Sequence, residues 1–115
     1  MKQALVIASF GTSVPEARSS IEAVEKTLIE AADDYTAIRA FTSPTIRRIL
    51  AERGEQIPSL TEALERLHDE GVSQVVVQPI HLLYGYEYDK LKAEAEEFST
   101  RFESLKIGKP LIADN

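Results

Sequence analysis

The chain has 115 residues, a net charge of −6 and no cysteine. This length predicts one domain, residues 1–115, able to bury a core without disulfide or metal staples. The absent cysteines exclude disulfides, thiolate metal ligands and cysteine nucleophiles, and the acidic balance argues against a nucleic-acid partner, whose phosphates demand a basic face.

No signal-peptide core and no apolar run of membrane-spanning length is visible, so the chain reads as cytoplasmic and without membrane contact. Residues 4–9, ALVIAS, form a short apolar run that predicts a buried strand. Gly11-Thr12-Ser13 breaks it, with Thr12 or Ser13 placed to cap the next helix and Pro15 in its first turn. Ala17, Ile21, Val24, Leu28 and Ala31 step at helical spacing and predict a helix over 15–32. A second strand is expected over 35–41, then a short helix from Ser43-Pro44 to Arg53, ended by Gly54. Ser59 opens another helix whose apolar face is Leu60, Ala63, Leu64 and Leu67, and Gly71 ends it.

Residues 72–78 predict a third strand, 86–102 a long helix with Leu91, Ala93, Ala95, Phe98 and Phe102 inward, and 105–108 a fourth strand. Alternating strands and helices with right-handed crossovers give an α/β fold: a three-layer α/β/α arrangement on a four-stranded parallel sheet, covered on both faces. The final residues, 109–115, are apolar and read as the middle of a longer structure.

Two segments carry chemistry. Ser9-Phe10-Gly11-Thr12-Ser13 is a strand-to-helix turn, where backbone N–H groups attract phosphate or carboxylate. It is neither a G-x-G-x-x-G fingerprint nor a Walker loop, and a plain helix cap explains it as well. The second segment runs from Gln78 to Tyr88 and holds His81, Tyr84, Gly85 and Glu87 at the carboxyl end of a strand, where ligands of open α/β sheets collect. His81 is either a packed histidine or a metal ligand or proton shuttle. Glu87 is either a carboxylate favoured at a helix start or a group that ligates a cation or accepts protons.

His81 and Glu87 alone hold a transition metal poorly, since catalytic sites use about three protein ligands. A site here would borrow ligands from the substrate, another chain or a further part of this one. His68, among Glu65, Asp69 and Glu70, reads as solvated surface. No Ser-His-Asp arrangement is evident. Arg39, Arg47, Arg48 and Arg53 form a loose basic cluster, read as solvated surface or as a local patch for an acidic small molecule.

Three segments, in order, resemble the anaerobic cobalt chelatases of the CbiK type, the sirohydrochlorin cobaltochelatases of cobalamin synthesis. They are residues 2–13 at the start, residues 39–48, which carry R-A-F-T-S, and residues 77–88, which fit V-Q-x-x-H-x-x-x-G-x-E-Y. The resemblance implies a chelatase fold of two similar halves around a tetrapyrrole cleft. It implies insertion of Co²⁺ into sirohydrochlorin without ATP and with no resident cofactor required.

It further places Glu87 on the cleft glutamate, as proton acceptor or outer metal contact. His81 falls on a family histidine, as auxiliary metal ligand or haem contact. By chemistry, the carboxylates of sirohydrochlorin suit Arg39, Arg47 or Arg48 and the amides of residues 11–13, with Ser9, Tyr84 and Gly85 alongside.

Members of that family run to roughly twice this length, the size of a two-half domain. Their further histidines, one in a G-H-G turn, have no counterpart in Phe10-Gly11-Thr12. The chain therefore reads as an N-terminal half that lacks its C-terminal half or works as a homo-oligomer. The small CbiX chelatases work as homodimers, but this chain lacks both of their histidines, and Glu87 stands where the second would be. A non-catalytic tetrapyrrole- or metal-binding half-module is the rival reading. A flavodoxin-like nucleotide or flavin binder shares the α/β order but wants a hydroxyl-rich loop that is absent here.

Overall fold

The computed structural model describes residues 2–80 and 85–108, with the backbone alone over 85–88. His81 and Tyr84 and residues 109–115 lie outside the described residues, as do the side chains of 85–88. Strand β1 is Gln3–Ser9, helix α1 Pro15–Ala31, strand β2 Thr36–Phe41 and helix α2 Pro44–Glu52. Helix α3 is Leu60–Asp69, strand β3 Gln74–Pro79, helix α4 Gly85–Glu96 and strand β4 Ser104–Ile107. All strand pairs are parallel, in the order β2-β1-β3-β4. No described helix is long and apolar enough to cross a membrane.

Side-chain parity along β1 divides the core. Ala4, Val6 and Ala8 face α3 and α4, where Leu60, Leu64, Leu67, Leu91, Ala95 and Phe98 close over them. Leu5 and Ile7 face the other way, against Ile21, Val24 and Leu28 of α1. β1 is thus buried on both faces, as its unbroken apolar run predicts. Burying one leucine such as Leu64, which is 0% exposed, contributes about 1.5–3 kcal/mol. β3 instead alternates: Val75, Val77 and Pro79 are buried, whereas Gln74, Val76 and Gln78 are half-buried. Helix coverage on that side comes from α1 over β1 and β2.

The caps are partly as the sequence predicts. Ser59 and Glu62 form a reciprocal capping box at α3, and Ser43 Oγ accepts the Ile46 N–H at α2. The N-cap of α1 is Val14, with no side-chain cap; Thr12 Oγ1 instead accepts the Val14 N–H at 3.1 Å, a local turn outside the helix.

Three further expectations are corrected. Helix α4 stops at Glu96, and a 3₁₀ turn, Ser99–Arg101, follows. The tightening, with Phe98 N–H donating to Ala95 O and Arg101 N–H to Phe98 O, still seats both Phe98 and Phe102 in the core. Ala93 is exposed, because the inward stripe is Leu91, Ala95, Phe98, Phe102 and a step of two turns it away. Ala17 and Ala31 are exposed because they lie in the first and last turns of α1, beyond the buried stripe of Ile21 and Glu25.

Candidate functional site at the β1–β3 switch point

From β1 the chain turns to β2 on one side; from β3 it turns to β4 on the other. The carboxyl ends of β1 and β3 therefore flank the switch point where α/β sheets bind ligands. Of the two segments singled out by sequence, the first, residues 9–13, and the described start of the second, Gln78–Ile80, meet there. Residues 9–13 leave β1, and the Ile80 N–H still donates to Ala8 O at 3.0 Å just before His81. Glu87 stands on α4 one helical turn before Leu91. Among the described residues there is no group of three or more His, Asp or Glu side chains able to hold a metal ion.

The 9–13 turn is held from several directions. Ser9 is buried, and its Oγ has no hydrogen-bond partner among the described residues. Gly11 has φ +97°, and a Cβ there would sit 2.6 Å from the Phe41 ring. Only glycine suits both the angle and the approach. The Arg53 guanidinium donates to Ser13 O at 2.8 Å. Phe10 stands out from the turn, 43% exposed.

Behind the turn lies a charged layer on the α1 side. Arg39 shares the sheet face of Ile7 and Phe41, since Ile7 pairs with Arg39 and Ser9 with Phe41. Its guanidinium forks onto Glu25, Nε to Oε2 at 2.8 Å and an NH2 to Oε1 at 2.5 Å, with Glu22 at 3.7 Å. Arg18 forks likewise onto Glu55, at 3.1 and 2.5 Å. Its Nε lies 3.4 Å from Glu22 without hydrogen-bond geometry.

The two guanidinium groups flank the Phe41 ring, Arg18 at 5.4 Å and Arg39 at 5.9 Å from its centroid. The hydrogen bond from Arg18 holds the Glu55 carboxyl below its ordinary value, against an opposing effect of burial, and raises the Arg18 pKa in turn. Glu25, 4% exposed, was hidden from sequence reasoning by its charge; its signal is its place four residues after Ile21 on the inward stripe.

On the opposite side a pocket of about 400 Å³ opens between the N-termini of α2 and α3 and the later turns of α4. Phe10, Thr42, Thr45, Arg47, Lys90 and Glu94 line it. Of the sequence-derived basic cluster, Arg47 alone lines this pocket, while Arg48 is exposed. His68 is largely exposed, edge-on to Phe102 at 5.9 Å between ring centroids, as solvated surface predicts.

Known proteins resemble the whole chain. It is 36% identical over 117 residues to a sirohydrochlorin cobaltochelatase of Salmonella typhimurium, covering 100% of this chain and 44% of that protein. It is 29% identical over 114 residues to the sirohydrochlorin cobaltochelatase CbiKC of Nitratidesulfovibrio vulgaris, covering 97% and 40%. The chain thus spans less than half the length of these curated relatives. In fold it resembles a crystal structure described as a cobalamin (vitamin B12) biosynthesis CbiX protein from Marinobacter aquaeolei, with TM-score 0.66 and 18% identity, covering 96% of this chain and 81% of that one. With residues 3–115 matching the family described as Cobalt chelatase (CbiK), the chain belongs to that family.

Proposed function

We propose that the chain forms the N-terminal half of a sirohydrochlorin cobaltochelatase, a cytoplasmic, ATP-independent enzyme that inserts Co²⁺ into sirohydrochlorin. The observation that carries this reading is the 36% identity to the Salmonella protein of that name over the full length of this chain. The position of residues 9–13 and of the carboxyl end of β3 at one switch point supports it.

Metal insertion exchanges pyrrole N–H protons for the cation, so a proton acceptor has to stand beside the ring. Glu87 is the acceptor in this reading, and His81 an auxiliary ligand to the incoming cobalt. Remaining ligands come from a C-terminal half or from a second copy of the chain. The amides of residues 11–13 face the substrate's anionic rim, and Tyr84 and Gly85 complete the wall.

The deciding experiment is an anaerobic absorbance assay of the purified protein with sirohydrochlorin and Co²⁺. A cobalt-dependent spectral change faster than the protein-free rate supports the chelatase. Tetrapyrrole binding without acceleration replaces it with a non-catalytic binding half-module. Absence of any binding overturns both.

A further inference from the structure

We propose that the pocket between α2, α3 and α4 seats a carboxylate side arm of the tetrapyrrole, with Arg47 and Lys90 as its cations. This rests on the chelatase reading and gives it a specific subsite. Four guanidinium groups stand near the carboxyl ends of the strands, and they differ in partners; Arg53 donates to Ser13 O at 2.8 Å. Arg18 is forked by Glu55 and Arg39 by Glu25. Arg47 is forked by nothing among the described residues: its Nε is buried without a hydrogen-bond partner, and its ion-pair neighbour, Glu62 Oε1, is 4.0 Å away. Glu62 is itself engaged, accepting the Ser59 N–H at 2.8 Å in the capping box.

A buried donor left unpaired is costly, and an arriving carboxylate removes that cost. A planar guanidinium is the side chain best shaped to bind one, through two parallel N–H···O bonds.

The rest of the pocket fits that ligand. The Thr42 and Thr45 hydroxyls line it as further donors. The chain already docks one carboxylate at its edge: Glu94 Oε2 accepts the Thr61 N–H at 3.1 Å and the Thr61 hydroxyl. That bond ties Glu94 to the start of α3, and among the described residues Arg47 keeps only Glu62, 4.0 Å away and outside the pocket lining, as an ion-pair neighbour. Phe10, exposed on the same wall, offers an apolar surface beside the cations. An apolar macrocycle fringed by ionised arms presents the complementary pair of features. Arg39, on the α1 side of the sheet and held by Glu25, is not placed to share this pocket.

The test is anaerobic titration of the purified protein with sirohydrochlorin, read by ligand absorbance, for the wild type and for R47Q, R47K, K90Q and R66Q. Arg66 is exposed on α3 and does not line the pocket, so R66Q makes the same charge change elsewhere. Loss of a charge-assisted contact predicts about ten-fold weaker binding for R47Q and for K90Q, partial recovery in R47K, and less than two-fold change in R66Q. Added salt should weaken wild-type binding more than R47Q binding.

Wild-type affinity in folded R47Q and K90Q overturns the subsite while leaving the chelatase reading intact. Should R47Q fail to fold, K90Q at an exposed helix position decides alone. If the wild type binds no sirohydrochlorin, the chelatase reading falls and takes the subsite with it.

Discussion

Arg39 on β2 and Glu25 on α1 form a two-pronged ion pair in which the carboxylate is 4% exposed. The pair ties the helix to the sheet beneath the turn at residues 9–13, and its guanidinium packs over Phe41. Removing one partner leaves the other charge poorly solvated, which is costlier than the pair is stabilising. Glu25→Gln should lower stability by about 1–3 kcal/mol in urea denaturation. Arg39→Met should do the same, with a non-additive double mutant. In sirohydrochlorin titrations, folded Arg39→Met should bind within two-fold of wild type. A loss of affinity without a loss of stability would instead place Arg39 against the substrate.

Gly11 combines φ +97° with a Cβ position 2.6 Å from the Phe41 ring. Gly11→Ala must strain the backbone and push the ring out of its place between Arg18 and Arg39. We expect about 2–4 kcal/mol of destabilisation, from a left-handed residue and a displaced core ring. Thermal unfolding that matches wild type would show that the turn re-forms without this geometry.

The Arg18–Glu55 pair sets a pH dependence. The folded-state pKa of Glu55 lies below its ordinary 4.5, so its contribution is fully present above that value and disappears as pH falls through the lowered folded value. Glu55 is 41% exposed, so solvent screening keeps the contribution under about 1 kcal/mol. Stability of wild type and Glu55→Gln should therefore differ at pH 7 and converge well below pH 4.5. A difference that persists unchanged at low pH would assign the effect to packing rather than charge.

Glu87→Ala tests the proton acceptor. If the carboxylate takes pyrrole protons, cobalt insertion should fall by about 100-fold or more, the usual scale for a lost general base. Far-ultraviolet circular dichroism should not change, because the position lies in the first turn of α4. Unchanged turnover would remove Glu87 from the mechanism.

The two contiguous segments of the site were legible in sequence because each occupies a single strand-to-helix connection. The strand order β2-β1-β3-β4, and with it the β1–β3 switch point, came from the structure, because the crossover rule fixes handedness and not order. The pocket was not legible. Phe10, Thr42, Arg47, Lys90 and Glu94 come from three separate segments, and nothing in their local spacing brings those segments together. Arg39 and Arg47 look alike in sequence, eight positions apart in one basic cluster. Their difference lies in their partners, since a carboxylate fourteen residues before Arg39 closes onto it and none forks Arg47.

The sequence by itself determined the alternation of strands and helices, the buried run of β1, the helix cap at Ser59 and the apolar stripe of α3. These follow from short-range periodicity and cap chemistry, which act within a few residues. Only the tertiary structure decided which charges are spent internally. Ion pairing and burial depend on distances across the sheet, and those make Glu25 a core residue, leave Arg47 with an unpaired donor and let only glycine fit beneath Phe41 at position 11.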